Sequence, residues 1–280
     1  MPVVLLTGAA RGIGRVTALR LAAAGWDVHA GVRRADDGEA LRTADPHGRI
    51  HPVLLDVTDA AQLGALTDAL PHHLDAVVNN AGIVVGGPVE GVPLDELRRQ
   101  LEVNLVGQVA VTQAVLPRLR ASRGRIVFVS SLSGRVATPM TGPYNASKFA
   151  LEGLADALRM ELRPWGVRVT LVEPAQTDTD LWREAEDALE QSVAALRPEH
   201  RVLYAKHIAG WRKSIPLSQR LATPAEGVAA SIERALTAAR PRARYVVGTG
   251  PRVQAVLAAL TPTRVLDPLL AAATGVPRRP

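Results

Sequence analysis

The chain has 280 residues, 47% of them apolar and 21% charged, which are ordinary proportions for a globular protein and allow a full core without covalent staples. With no cysteine it has no disulfide, no thiolate metal site and no cysteine nucleophile, and it suits a cytoplasmic location. The net charge of +6 raises nucleic-acid binding, but the arginines are dispersed (Arg33-Arg34, Arg98-Arg99, Arg118 to Arg125, Arg240 to Arg244) and not interleaved with aromatics, so no nucleic-acid partner is expected.

The chain opens Met1-Pro2-Val3-Val4-Leu5-Leu6, without the basic segment and long apolar stretch of a secretory leader. Runs at Val3–Leu6, Asp27–Val32, Ile50–Leu55, Leu74–Val78, Arg125–Ser130 and Val167–Val172 predict strands that are apolar on both faces, as strands sandwiched between helices must be. Helical patterns alternate with them over Ile13–Ala24, Ala60–Leu70, Leu94–Leu119 and Tyr144–Arg163, the last stopped by Gly166. This alternation predicts an α/β fold: a Rossmann-like, doubly wound parallel sheet with helices on both faces. Beyond Glu173, residues 177–220 read as polar and helical. Ala222–Ala239 follows as a helix opened by Thr223-Pro224 and Glu226, and Tyr245–Val247 would be a seventh strand. The late apolar stretch is broken by Pro262, Arg264, Asp267 and Pro268 and does not read as a membrane span. A single domain over 1–280 is expected, with 179–215 a lid insertion and 250–280 a C-terminal tail.

Two motifs carry chemistry. Thr7-Gly8-Ala9-Ala10-Arg11-Gly12-Ile13-Gly14 lies between a predicted strand and a predicted helix. Glycines there give φ freedom, let backbone approach a pyrophosphate, and pack helix on strand, while the helix start offers free N–H groups. The second strand ends at Arg33-Arg34, where a 2′-phosphate is favoured over a bare ribose hydroxyl, so NADP(H) is expected over NAD(H), with Arg11 helping. Asp56-Val57 ends the third strand, where Asp56 could accept from an adenine amino group or serve only in a helix start. The second motif is Tyr144-Asn145-Ala146-Ser147-Lys148, which puts a phenol and an ammonium on one helix face in a chain with just three tyrosines and three lysines. The seven histidines show no ligand spacing, and no metal is expected.

Together with Asn79-Asn80-Ala81-Gly82, Asn104 and Ser131, these motifs resemble the short-chain dehydrogenase/reductase family, its classical branch, over roughly residues 3–179. The resemblance implies a catalytic set of Tyr144, Lys148, Ser131 and Asn104; Ser131 is preferred to Ser130 and Ser133 because it lies 13 residues before Tyr144, the family spacing. It implies cofactor contacts from Thr7, Gly8, Gly12, Ile13, Gly14, Asn80, Ala81, Gly82, Pro174, Thr177 and Thr179, besides Tyr144 and Lys148. One departure is visible, since Ala175 stands where the family has glycine after Pro174.

On these residues the mechanism would be proton exchange at a substrate oxygen by Tyr144, helped by the Lys148 ammonium and the oxidised nicotinamide. Ser131 would hold that oxygen and Asn104 a water leading to Lys148. The segment after 179 looks most like hydroxysteroid and retinol dehydrogenase-like members, which implies a bulky apolar alcohol or ketone; Trp182, Tyr204 and Trp211 are candidate substrate contacts. Rival readings are a 3-oxoacyl thioester reductase, a non-catalytic NADP-sensing regulator and, resting on the apolar tail, a peripheral membrane protein. By family analogy the long helices would form a homodimer or homotetramer.

Overall fold

A computed structural model describes residues 1–179, 183–220 and 222–277 of the chain. Seven strands form one parallel sheet: β1 Val3–Thr7, β2 Asp27–Val32, β3 Ile50–Leu54, β4 Ala76–Asn79, β5 Arg125–Val129, β6 Arg168–Glu173 and, last in the chain, β9 Arg244–Val246. Their spatial order is β3-β2-β1-β4-β5-β6-β9. The chain winds outward from β1 to β3, then returns to place β4 on the other side of β1. Neighbouring connections therefore leave in opposite directions at β1 and β4, which opens a crevice beyond their carboxyl ends.

Period-2 alternation sends each strand's side chains into two separate cores. Val4 and Leu6 of β1, with Val127 and Val129 of β5, join Leu21, Trp26, Ile232 and Leu236 on one face. Val3, Leu5, Ile126 and Phe128 point the other way, onto Val111, Val115, Leu119 and Leu151. The first core is covered by α1 (Gly12–Ala23), α2 (Ala35–Thr43) and α10 (Ala225–Thr237); the second by α3 (Ala60–Ala65), α5 (Gly107–Ser122) and α6 (Gly142–Glu161).

The structure departs from the predicted elements in four places. Helix α2 was not foreseen, because only Gly38 and Leu41 of its nine residues are buried and its apolar signal is weak. Helix α3 stops at Ala65 instead of Leu70. The helix expected over Leu94–Leu119 is α4 (Leu94–Leu101) and α5 joined by a π-helical turn, Glu102–Val106, centred on Asn104. Such single turns are rare and concentrate at functional sites. Finally, Thr223–Pro224 is a short strand, β8, paired with β7 (Thr177–Asp178), and not the first turn of a helix.

Beyond β7 lie α7 (Ala185–Ala195), α8 (Pro198–Leu203) and α9 (Ala205–Arg220). The C-terminal tail is two helices, α11 (Thr249–Leu260) and α12 (Thr263–Ala273). Ala255, Ala258 and Leu270 from these pack on Leu132, Val136 and Ala175, so the tail walls the loops that leave β5 and β6. Gly210 of α9 meets Gly275 so closely that a Cβ on either would overlap the other's backbone, which ties α9 to the tail. Among the described residues no helix is long and apolar enough to cross a membrane.

Candidate active site

At the end of β1 the chain turns through Gly8 (φ +66°) and Gly12 (φ +53°), both in the left-handed region that glycine tolerates without strain. Gly14 is required for another reason: a Cβ there would overlap the Gly8 carbonyl oxygen and come within 2.7 Å of Asn80 Nδ2. Helix α1 starts at Gly12, so its first N–H groups face the crevice with the positive end of the helix dipole behind them. The turn is stapled from β4. Thr7 Oγ1 accepts from the backbone N–H of Asn80 and of Ala81, each at 3.0 Å, and Asn80 Nδ2 donates to the carbonyls of Thr7 and Gly8, also at 3.0 Å. Asn79 turns away and donates to Thr112 Oγ1 at 2.9 Å.

The remaining candidates lie around this turn and beyond the ends of the neighbouring strands. Arg33 and Arg34 directly follow β2 and are exposed, with Arg34 3.7 Å from Asp36. Arg11 caps the turn and reaches Glu184 at 3.4 Å. Asp56 does not cap a helix; its Oδ1 accepts from Thr58 N and Oγ1, while Asp59 caps α3 through Ala61 N and Gln62 N. Val57 is buried, and its carbonyl leaves no room for a side chain at Gly107. Thr179 lies over the turn, its Cβ and Cγ2 each 3.2 Å from the Cβ position of Gly12. Ala175 keeps a negative φ: among the described residues the positive-φ non-glycines are Arg123 and Met140. The loop still closes, since Leu132 N donates to Pro174 O at 2.9 Å and Thr177 Oγ1 to Ala175 O at 3.1 Å.

Tyr144 and Lys148 occupy the first turns of α6, started by Pro143 in the first turn of the helix. Lys148 is buried; its Nζ donates to Val129 O at the end of β5 at 2.8 Å and sits 5.8 Å from the Tyr144 ring centroid. Burial pushes the Lys148 ammonium down to about 8, with the charge of Glu152 holding it up. Burial raises the Tyr144 phenol above its ordinary range, and a hydrogen bond with the Ser131 hydroxyl pulls the other way. Ser131 Oγ also accepts from Ser133 N at 3.1 Å, which fixes its loop; Ser130 is buried with no hydrogen-bond partner for its Oγ.

Asn104 projects from the π-helical turn and is fully buried. Its Oδ1 accepts from Ile83 N at 2.8 Å, and its Nδ2 donates to Ile83 O at 3.0 Å and to Ser147 Oγ at 3.2 Å. Ser147 in turn donates to Tyr144 O at 2.7 Å. The side chain thus ties the first turns of α6 to the loop that follows β4. Sequence reasoning missed its two companions. Gln100 bonds Val85 N and Ile83 O, and Gln108 donates to Ala81 O at 2.9 Å. Gln100, Asn104 and Gln108 are spaced four apart along α4, the π-helical turn and α5 and are all fully buried, a stripe of amides that the spacing could have revealed.

Above the crevice, Met140, Leu196 and Ile208 form a cluster with Val193, Tyr204 and Trp211. The Trp211 ring lies against Gly86, and Tyr204 Oη donates to Glu90 Oε2 at 2.7 Å, so both aromatics reach across to the loop after β4 and do not merely join helices. Trp182 lies outside the described residues. A cavity of about 570 Å³, lined by Pro139, Asn145, Ala146, Phe149 and Leu270 among others, opens between α6 and α12 beside the catalytic face; none of Tyr144, Lys148, Ser131 or Asn104 lines it.

A parallel sheet with a glycine-shaped turn at its switch point, and a half-buried Tyr144 beside a buried Lys148 on α6, defines a Rossmann-type α/β protein with a nucleotide crevice. The chain belongs to the short-chain dehydrogenase/reductase family: the family model described as short chain dehydrogenase matches residues 2–190. It is 33% identical over 273 residues to an NADPH-dependent 3-dehydrocapnine reductase of Ornithobacterium rhinotracheale, covering 94% of each chain. It is also 33% identical over 278 residues to retinol dehydrogenase 5 of Mus musculus, covering 95% of this chain and 87% of that one. A solved short chain dehydrogenase from Burkholderia cenocepacia J2315 in complex with NADP matches with a TM-score of 0.74 and 25% identity, over 99% of this chain and 98% of that one.

Proposed function

We propose that this oxidoreductase uses NADP(H) to interconvert a bulky apolar secondary alcohol and the corresponding ketone. The observation that carries the reading is the meeting of the Tyr144 phenol and the Ser131 hydroxyl with the buried Lys148 at the carboxyl end of β5. The cradle fits a dinucleotide: side chains at Gly8, Gly12 and Gly14 would fill it or strain it. The backbone of Gly12, Ile13 and Gly14 would hold the pyrophosphate, Arg33 and Arg11 the 2′-phosphate, and Asp56 with Val57 the adenine. Asn80, Ala81 and Gly82 would border the riboses, and Pro174, Thr177 and Thr179 the carboxamide. When bound, the cofactor supplies or accepts the hydride.

Tyr144 donates its proton to the carbonyl oxygen in reduction, and a phenol kept protonated by burial is the form that step needs. Ser131 hydrogen-bonds the same oxygen and aligns it. Lys148 holds the nicotinamide ribose and presents positive charge to Tyr144. Asn104 is a positioning residue, acting on Tyr144 through Ser147, besides the water-holding role that the resemblance implies. Tyr204 and Trp211 line an apolar lid, in keeping with the names of the retinol and dehydrocapnine relatives. A homodimer or homotetramer built on α5 and α6, by family analogy, is part of this reading. The test is NADPH consumption against retinoids, steroids, short ketones and acyl thioesters. Turnover of bulky apolar ketones supports the reading; turnover of acyl thioesters alone overturns it.

A further inference from the structure

Helices α11 and α12 turn their large apolar side chains away from the protein. On α11, Val253, Val256, Leu257 and Leu260 are all exposed, and at 100° per residue they share an arc of about 100°. The opposite side of that helix carries only Ala255 and Ala258, which pack on the cluster of Leu132 and Val136. On α12, Val265 and Leu269 are exposed one turn apart, while Asp267, Leu270 and Ala271 lie on the other side and line the cavity against α6. These six side chains are between 48% and 77% exposed. A surface helix ordinarily does the reverse, burying its large apolar residues and showing water its polar ones. Six of the seventeen large apolar side chains left exposed among the described residues fall in these two short helices, a density that marks an interaction surface.

We propose that this outer face of the C-terminal tail seats on an anionic lipid surface. Charge favours that partner. Residues 249–280 carry Arg252, Arg264, Arg278 and Arg279 against Asp267 as their sole acid, and Asp267 points away from the exposed aliphatics of its helix. Arg252 borders the aliphatic arc of α11, and both Arg252 and Arg264 are exposed. The net charge of +6 on the whole chain draws it to the same surface. The composition favours lipid over a second copy of the chain. Protein interfaces are enriched in aromatic residues and methionine and pair polar groups across the contact, whereas residues 249–280 hold no aromatic and no methionine. Burial of plain aliphatics needs no matching shape, and a lipid surface supplies it without one. At 12 and 11 residues the two helices are too short to cross a bilayer and suited to lie in its surface plane. Docking would place the enzyme where apolar alcohols and ketones collect, a consequence that rests on the substrate class proposed above.

The test sediments the full chain with two kinds of vesicle, phosphatidylcholine alone and phosphatidylcholine with phosphatidylglycerol in equal parts. The wild type should bind the mixed vesicles and bind the neutral ones at least about tenfold more weakly. Val256→Ser, Leu257→Ser and Leu260→Ser together, all at exposed positions, should keep the melting temperature and weaken binding to the mixed vesicles by at least about tenfold. Arg252→Gln with Arg264→Gln should weaken it roughly five- to thirtyfold and leave binding to neutral vesicles nearly unchanged; this pair serves if the triple serine variant does not fold. Analytical ultracentrifugation without lipid should give the wild type and the triple variant the same mass. A wild type that binds neither vesicle overturns the proposal, as does a folded triple variant that binds as well as the wild type. A triple variant of lower mass in solution also overturns it, by assigning the face to a second copy. Vesicle binding needs neither cofactor nor substrate, so binding by a protein that turns over no ketone would refute the proposed activity and leave the lipid surface standing.

Discussion

Replacing Gly86 by alanine tests the lid without touching the residues proposed for catalysis. A Cβ at Gly86 would overlap Trp211 Cη2 and lie 3.0 Å from Cζ3 and 3.3 Å from Cζ2. Carbon atoms pack at about 3.5–4.0 Å, so the ring edge has to retreat by about 1 Å or more. Overpacking of this kind costs about 1–3 kcal/mol where the surroundings cannot yield. Here the obstacle is the far end of one side chain on α9, so the cost should fall on docking of the lid and not on the sheet. If the lid closes over a bulky substrate, about 1.4 kcal/mol of lost closure raises KM roughly tenfold. A small ketone that never reaches the lid should keep its kcat/KM within about twofold, and the melting temperature should fall by only about 2–4 °C per kcal/mol. Steady-state kinetics with both substrates, in wild-type and Trp211→Leu backgrounds, give the double-mutant cycle. With the ring gone, Gly86→Ala should have little further effect. Equal losses for the two substrates, or an undiminished loss in the Trp211→Leu background, would refute the lid.

Three other outcomes follow from the geometry. Arg33→Ala removes a charge-assisted contact proposed for the 2′-phosphate, so NADP(H) binding should weaken roughly ten- to a hundredfold while NAD(H) binding hardly changes; calorimetry with both cofactors decides it, and a wild type that prefers NAD(H) contradicts the assignment. Gly14→Ala should abolish cofactor binding in a chain that still folds, because its Cβ would overlap the Gly8 carbonyl within the turn; cofactor affinity retained within about tenfold would count against the cradle. His29 on β2 is held below its ordinary value of 6.5, first by burial and then by the neighbouring His51. A depressed folded value means the unfolded chain binds the extra proton more readily, so stability should fall as pH drops below 6.5, and His29→Gln should flatten that fall in melting curves.

The sheet and the shared helix face of Tyr144 and Lys148 were legible because each depends on residue types at fixed local spacing. Strands apolar on both faces announce a sheet covered on both sides, and a Tyr and a Lys four apart share a helix face whatever surrounds them. What escaped was long-range or aperiodic. The π-helical turn at Asn104 leaves no mark on a 3.6-residue pattern, so Leu94–Leu119 read as one helix. Glu173 drew no reading from the sequence, since its partners Arg135 and Arg244 are brought to it only by the pairing of β6 with β9 and by the loop after β5. Helix α2 was hidden by its exposure, and Trp211 gave no sign in sequence that its ring would meet Gly86.

The central claim, that Tyr144 is the proton donor in an NADPH-dependent ketone reduction, is tested most directly by Tyr144→Phe. The substitution removes one oxygen at the crevice and leaves the glycine turn, Arg33 and Lys148 in place. Single-turnover reduction of a ketone accepted by the wild type, measured beside NADPH titration, should show turnover abolished and cofactor affinity nearly unchanged. Appreciable turnover by the Phe variant would contradict the account.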